Sequence, residues 1–376
     1  MKYLLKIIVA TAAVLAVSAG AQAQDGVSLF GRIDAGYAGV NATNSAGKQL
    51  GGVGFANSSM ESSEWGIRGS EDLGEGNRAI FNLEGDITAG GTTVNNVLFR
   101  RQANIGLSSV DLGTVQLGTV YDSLAADAQG SILPVAGNSV NFSTQIPGGT
   151  GNYFPTQAIK YTLPRLFSGR VTGGFTYSSG NVPDQYGNGL LSGSMADGYL
   201  RVEPVKDLKL TAGYGVFTPV PSGYTLPTIT LNGYVPYYTN VYGGNEYLLG
   251  ASYKYGRYSI GAMFTSSSKV QQFTGAYPYA KVNTGSLGLG YQATERVKFG
   301  ANYVHNSGST SLYNAQVHYA LSKRTDLYAQ YNYVKEGYYA TYAPVWYGDN
   351  VGSTAVSAPG INTVAQAFIV GTVVHF

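Results

Sequence analysis

The sequence predicts an all-β fold, a closed antiparallel transmembrane β-barrel of sixteen strands. Three observations lead to this prediction. Gly (52 residues) and Tyr (31) are abundant while charged residues make up only 12%, whereas soluble domains carry roughly 25% charged residues. Segments of about 8–12 residues alternate between apolar and polar positions, which is the period of strands. The connections alternate between very short and long, which is typical of barrels in outer membranes.

The first 23 residues predict a cleaved export signal. Lys2 and Lys6 precede a short apolar run, and an A-x-A cleavage pattern ends at Ala23. The alternative is a retained membrane helix, but a membrane span needs about 20 apolar residues and this run is shorter. We therefore expect residues 1–23 to be removed and residues 24–376 to form a single barrel domain outside the cytoplasm.

Charge and residue usage exclude several classes of function. Without the signal the chain has 21 basic and 21 acidic side chains, and it has no cysteine. A neutral chain is a poor partner for nucleic acid, and the absence of cysteine excludes disulfides and thiolate metal sites. His305 and His318 fall on opposite faces of their strands, and no nucleophile-elbow or Walker pattern is present. We expect no metal, no cofactor and no catalytic residues.

Alternation is clear in VKFGANYVHN. Val297, Phe299 and Tyr303 share one face, whereas Lys298 and Asn302 share the other. A soluble β-sandwich alternates as well, so alternation alone does not decide between a sandwich and a barrel. The small or polar character of the second face favours a barrel with a wet lumen.

The breaks between alternating segments delimit sixteen strands. Their expected spans are 27–40, 63–71, 78–88, 98–109, 114–121, 157–164, 168–178, 197–205, 208–218, 246–255, 258–267, 280–293, 297–306, 310–321, 325–335 and 363–376. Short turns belong on the periplasmic rim, and long extracellular loops are expected at 41–62, 121–157, 219–245 and 336–362. A barrel of this size encloses a water channel, so the fold predicts permeation.

The stretch GSEDLGEG raises the question of a metal site. Glu71, Asp72 and Glu75 lie among glycines, but calcium prefers six to eight oxygen ligands and three adjacent acids supply too few. We interpret residues 72–77 as a rim turn in which Gly74 and Gly76 take positive φ. A bound cation is the alternative.

Several stretches resemble the general porins of β-proteobacteria, in the trimeric sixteen-stranded porin superfamily. They are VSLFGRIDAGY, SEWGIRGSEDLGEGNRAIFNLEG, LFRRQANIGLSSVDLGTVQLG, LSKRTDLYAQYNYV and IVGTVVHF. The resemblance implies a homotrimer in the outer membrane of a Gram-negative bacterium, with one pore per subunit narrowed by an inward third loop. It also implies that the terminal Phe376 is read by the outer-membrane assembly machinery. The Pro-Glu-Phe-Gly type of loop tip found in many relatives is absent.

The candidate constricting loop is 121–157, whose charged residues are Asp122 and Asp127. Strand parity directs a set of cations toward the lumen to face it: Arg32, Arg68, Arg100, Lys160 and Arg170. Parity places Arg101 outward, near the loop rim. Charge on the lipid face costs about 2–4 kcal/mol near the midplane, which favours a lumen position for the cations. The alternative for Arg32 is a simple ion pair with Asp34.

These features predict a passive outer-membrane channel for ions and small hydrophilic solutes. The excess of inward cations over loop acids predicts weak anion selectivity. The competing interpretations are a substrate-specific porin whose pore binds one solute class, an outer-membrane barrel enzyme, and a plugged structural barrel. The uncharged, tyrosine-rich loop 219–245 is interpreted as a packed external loop or as a solute-contacting vestibule.

Overall fold

The computed structural model describes residues 26–43, 49–87, 89, 98–138, 140, 153–180, 194–218, 244–270, 280–335 and 364–376. The predicted export signal with its cleavage at Ala23, residues 219–243 of the tyrosine-rich loop, and the long connection 336–362 lie outside these ranges. Among the described residues no helix combines the length and hydropathy needed to cross a membrane.

The described chain is dominated by strands. They are β1 Gly26–Thr43, β2 Gln49–Asn57, β3 Glu64–Gly74, β4 Asn77–Asp86, β5 Gln102–Ser109, β6 Gly113–Thr119, β7 Ala158–Thr162, β8 Val171–Ser178, β9 Met195–Val205, β10 Leu208–Phe217, β11 Gly244–Tyr255, β12 Tyr258–Val270, β13 Ala280–Gln292, β14 Val297–Asn306, β15 Ser311–Ala320, β16 Thr325–Lys335 and β17 Val364–His375. Short helical turns occupy Ser123–Ala128, Gln129–Ser131 and Phe167–Gly169.

Pairing between the first and last strands closes the sheet. β1 runs antiparallel to β17 from Arg32 opposite His375 to Thr43 opposite Val364. β2 pairs with residues 35–43 of β1 and β3 pairs with residues 26–32, so β2 and β3 share one position in the barrel. The seventeen strands therefore form a closed antiparallel barrel of sixteen positions, and the predicted count is confirmed.

Several predicted boundaries were wrong; the strand expected over 98–109, for example, begins at Gln102. The sequence predicts a loop over 41–62, but residues 49–57 form β2 and extend the first hairpin. Its glycine-rich sequence shows little alternation, so backbone pairing with β1 and not side-chain patterning makes it a strand. The strand expected over 168–178 begins at Val171, because Phe167 and Ser168 have left-handed φ of 51° and 58° and form a helical turn.

The two faces of the barrel wall have the predicted alternation. On β14, Phe299 and Tyr303 are exposed on the outer face, while Asn302 and Val304 are buried on the inner face. The inner face is not uniformly polar, because Val304 packs with other apolar side chains beneath the segment that follows β6. The hydrophobic core of this protein thus lies inside the barrel, whereas the lipid side carries exposed apolar residues.

The GSEDLGEG stretch is a hairpin turn, as predicted. β3 ends at Gly74 and β4 begins at Asn77, and Gly74, Glu75 and Gly76 have φ of 85°, 53° and 75°. The Asp72 carboxylate accepts a hydrogen bond of 2.8 Å from the Gly74 N–H. The acids of this turn are exposed at the rim.

The side chain of Asp34 holds residues 58–63, the interruption between β2 and β3, inside the barrel. One carboxylate oxygen accepts hydrogen bonds from the N–H groups of Met60 and Glu61, at 2.6 and 2.8 Å. The other accepts from the Tyr328 hydroxyl at 2.7 Å, and Asp34 is completely buried. One side chain therefore ties residues 58–63 to both β1 and β16.

We expect Asp34→Asn to lower the free energy of unfolding by about 1–3 kcal/mol, because an amide has one acceptor oxygen and leaves buried donors unpaired. Urea unfolding of the detergent-solubilised protein, followed by its heat-modifiable migration on gels, measures the change. Asp72→Asn is the matched control, since that side chain lies at an exposed turn. Equal stability losses in the two variants would contradict the assigned role of Asp34.

Candidate functional site

The segment that follows β6 turns into the barrel and lies along its inner wall. Leu124 and Ile132 are buried there, together with inward side chains of β11 and β12. Val135 packs on β14, where its Cβ would lie 2.6 Å from a Cβ placed on Gly300. The described part of the candidate loop 121–157 therefore occupies lumen space.

A track of glycines on the inner wall makes this close packing possible. A methyl group at Gly261 would collide with the Ile132 carbonyl oxygen, and one at Gly290 would lie 2.9 Å from Val135. The corresponding contacts elsewhere on the track are made at Gly213, Gly215, Gly250 and Gly288. Because these glycines of β10–β14 have no side chain, the segment packs directly against the backbone of the wall.

Asp122 starts the first helical turn of this segment. Its carboxylate accepts hydrogen bonds from the N–H groups of Ala125 and Ala126 at 2.9 and 2.8 Å, and the side chain is completely buried. Burial raises the pKa of Asp122 to about 6, although the two N–H donors act in the opposite direction. The Asp122 carboxyl also hydrogen-bonds to Asp197 of β9. This predicted lumen acid is therefore directed into the protein.

Asp127 and Lys160 are brought together. Lys160 Nζ lies 2.6 Å from Asp127 and donates a hydrogen bond of 2.9 Å to the Tyr121 carbonyl oxygen. The Lys160 side chain is 8% exposed. Burial raises the pKa of Asp127, and the charge of Lys160 opposes that shift. Lys160 is thus directed inward and attaches the segment to β7.

Other wall residues hold the segment by its carbonyl groups. Arg201 donates to the Ala128 oxygen at 3.0 Å, and Lys298 donates to the Pro134 oxygen at 3.1 Å. Gln316 donates to the Val135 oxygen at 2.8 Å. These bonds tie backbone carbonyl groups of the segment to side chains of β9, β14 and β15.

Arg101 lies at the centre of an ion-pair network. Its guanidinium is 2.6 Å from Glu64, 2.7 Å from Glu84 and 3.1 Å from Asp86, and its side chain is 8% exposed. The Tyr121 hydroxyl accepts from Arg101 at 2.7 Å, which links the network to the start of the inward segment. The predicted outward position of Arg101 was wrong, because β5 begins only at Gln102 and strand parity does not extend to residue 101.

Arg100 and Arg32 lie at the margins of the same network. Arg100 pairs with Asp86 at 2.7 Å, and Phe154 covers its guanidinium at 5.0 Å. Arg32 pairs with Glu61 at 3.2 Å and Glu64 at 3.0 Å. The alternative pairing of Arg32 with Asp34 is not made. About a third of each arginine side chain stays exposed, 32% for Arg100 and 30% for Arg32.

The two remaining predicted cations stand apart from this network. Arg68 is exposed on β3, and its guanidinium lies 4.8 Å from the ring centre of Phe30. Arg170 is exposed in the short turn before β8, outside the strand from which its inward direction was predicted. Among the predicted residues, the structure therefore groups Arg32 with Arg100 and Asp127 with Lys160.

Sequence reasoning missed the acidic residues of the ion-pair network around Arg101. Glu84 and Asp86 belong to the inward face of β4, since Ala79 and Leu83 have the opposite parity, and this signal was available. Glu61 lies in a predicted loop, where parity carries no information. Within the described ranges, no group of three or more His, Asp and Glu side chains is arranged to hold a metal ion.

Comparisons with known proteins agree with this architecture. A family model described as Gram-negative porin matches residues 10–337. An outer membrane porin protein of Bordetella pertussis is 39% identical over 136 residues, which cover 33% of this chain and 35% of that protein. Outer membrane porin protein 32 of Delftia acidovorans is 37% identical over 131 residues, which cover 32% and 36%. The chain thus matches about a third of the length of these relatives.

Solved structures share the fold over most of the chain. An anion-selective porin from Comamonas acidovorans has a TM-score of 0.68 and 22% identity, covering 94% of this chain and 100% of that one. Salmonella typhi OmpF has a TM-score of 0.60 and 15% identity, covering 93% and 97%. The family match and the outer-membrane relatives locate the barrel in the outer membrane. The chain belongs to the Gram-negative porin family.

Proposed function

We propose that this barrel is a passive diffusion channel for ions and small hydrophilic solutes, with a weak preference for anions. The observation that carries the proposal is the exposure of cations on the inner face of the wall. Arg68, Lys209 and Lys254 have inward parity and are exposed to water. A plugged interior would bury or pair such side chains, whereas a sixteen-stranded barrel encloses a water channel.

The inward segment is proposed to narrow this channel. Its described contacts over residues 123–135 extend from β7 to β15, on the part of the wall that carries the glycine track. Arg32, Arg68 and Arg100 belong to a different part of the wall, on and next to β1–β5. A solute would therefore pass between a loop surface rich in backbone dipoles and a wall that bears guanidinium groups.

The anion preference follows from which charges meet water. Asp122 is buried, and Asp127 is paired with Lys160. Glu84 is buried against Arg101, while Arg68 is exposed. Buried and paired acids contribute little to the potential in the narrow region, so the exposed cations dominate the potential there. The Comamonas acidovorans porin of similar fold is anion-selective, and we extend that property to this chain as part of the proposal.

Single-channel recording of the purified protein in planar bilayers tests the proposal directly. The expected result is stepwise conductance, with a reversal potential in a salt gradient that has the sign of anion preference. Absence of conductance would overturn the channel proposal. A cation-selective reversal potential would overturn the charge assignment. Members of this family are channels, and we propose no catalytic role.

The proposed partners follow from the outer surface and the family resemblance. Exposed residues such as Phe299 and Tyr303 suit contact with outer-membrane lipid. Phe376 is 45% exposed, and its backbone pairs with Gly31 at the seam of the barrel. We propose that the assembly machinery reads this residue and that three copies associate as a homotrimer. Mass measurement of the detergent complex tests the trimer.

Gly261→Ala is expected to displace the inward segment toward the channel axis, because a methyl group at this position meets the Ile132 backbone. Overpacking of this kind costs about 1–3 kcal/mol. We expect a lower and noisier single-channel conductance together with that loss of stability. Gly285→Ala is the matched control, since a Cβ there meets nothing within 4 Å. Unchanged conductance in Gly261→Ala would contradict the narrowing role of the segment.

Arg68→Gln is expected to reduce the anion preference. A unit charge at about 10 Å in water contributes about 0.4 kcal/mol, or about a twofold change in ion occupancy. The reversal potential in a salt gradient should therefore shift toward zero, and this shift should shrink at high salt because the charge is screened. Arg78→Gln is the control, because Arg78 is exposed directly after the rim turn at the start of β4. A shift of the same size in both variants would show that Arg68 has no special place in the channel.

A further inference from the structure

A polar recess of about 320 Å³ opens on the inner wall near the short-turn rim. It lies between strands β13–β16 and residues Pro134, Val135 and Ala136 of the inward segment. Glu61, from the interruption between β2 and β3, completes its lining. Its volume is at the lower end of the range of small-molecule sites, which is roughly 300–1,000 Å³.

Strand register sets cationic and acidic groups side by side in the recess. Lys298 of β14 is directly opposite His318 of β15. Asp326 of β16 is opposite Ala320 of β15, two positions along from His318. Directly opposed residues on neighbouring strands lie about 4.5–5.5 Å apart. Lys298 and Asp326 are two strand spacings apart, roughly 10 Å between the strands, and the long Lys298 side chain together with a solute of a few ångströms spans this distance.

The Lys298 ammonium and the Asp326 carboxylate can each form further hydrogen bonds to a solute. Lys298 Nζ uses one donor on the Pro134 carbonyl oxygen, at 3.1 Å, and an ammonium has three donors. The Asp326 backbone oxygen accepts from Thr372, and among the described residues its carboxylate makes no hydrogen bond or ion pair. The recess thus offers hydrogen-bond donors on one strand and acceptors two strands away.

The charge balance of the lining selects the chemical class of the solute. Arg296 and Lys298 are cationic, whereas Glu295 and Asp326 are anionic. The fifth charge, Glu61, is already paired with Arg32 at 3.2 Å. A simple anion is attracted by Lys298 and repelled by Asp326. A simple cation is attracted by Asp326 and repelled by Lys298. A solute that carries both charges gains at both positions.

We propose that this recess binds small zwitterions of the α-amino acid class, with the carboxylate at Lys298 and the ammonium at Asp326. The inference rests on the channel function proposed above and adds a substrate class to it. The site lies on the periplasmic side of residues 134–136, so a solute that has passed the narrow region meets it before leaving the barrel.

Current block in single channels tests the proposal with L-glutamine as the probe. Glutamine should interrupt the current in a saturable manner, whereas xylitol, which has the same number of non-hydrogen atoms and no charge, should reduce it only slightly. Each variant removes a hydrogen bond to a charged group, so Asp326→Asn and Lys298→Met should raise the half-blocking concentration about tenfold or more. Asp111→Asn and Lys206→Met remove the same charges in exposed turns of the short-turn rim and should leave the block unchanged.

Asp326→Asn is the decisive variant, because its side chain makes no bond to the described part of the inward segment, whereas Lys298→Met also removes an attachment of that segment. Conductance without a glutamine-specific block would overturn the zwitterion site and leave the channel intact. A block that persists unchanged in Asp326→Asn would also overturn it. Absence of any conductance would overturn the channel function first.

Discussion

Backbone hydrogen bonding in hydrocarbon is the constraint on which the rest of this structure depends. Lipid supplies no partner for an N–H or C=O group, so the sheet must close on itself. The seam between β1 and β17 meets this requirement over twelve residues of each strand. Mutual backbone bonds between Gly31 and Phe376 extend it to the end of the chain. Pairing of the first and last strands removes the two edges that an open sheet would expose and creates an interior that must be filled or wetted.

Closure also inverts the usual location of the core. The outer face of the wall carries exposed apolar residues because lipid solvates them, and buried apolar packing occurs inside. There the inward segment covers side chains such as Leu248, Met263 and Val304. Glycines on β10–β14 bring the segment against the wall, and side chains such as Lys298 and Gln316 bind its carbonyl oxygens. Channel width is therefore set by packing and by hydrogen bonds together.

The charges inside the barrel divide into two groups with different consequences. Arg101 is withdrawn from water, and three carboxylates surround it. Removing a charge from water costs several kcal/mol unless partners compensate, so such a network specifies one arrangement of the surrounding elements. Exposed cations such as Arg68 stay hydrated and act on passing ions through the lumen. The buried network determines the structure of the narrow region, and the exposed cations make its electrostatic potential positive.

The sequence by itself determined the barrel, its sixteen positions and most strand spans, because lipid on one side and water on the other impose a period of two along each strand. It also determined the turn at Gly74–Gly76, since positive φ has a strong residue preference. Only the tertiary structure decided the partners of the charged residues. Asp34 binds Tyr328, which is 294 positions away in sequence, and Arg101 turns inward because it precedes its strand. Parity predicts direction only within a strand, whereas ion pairs depend on which distant elements closure brings together.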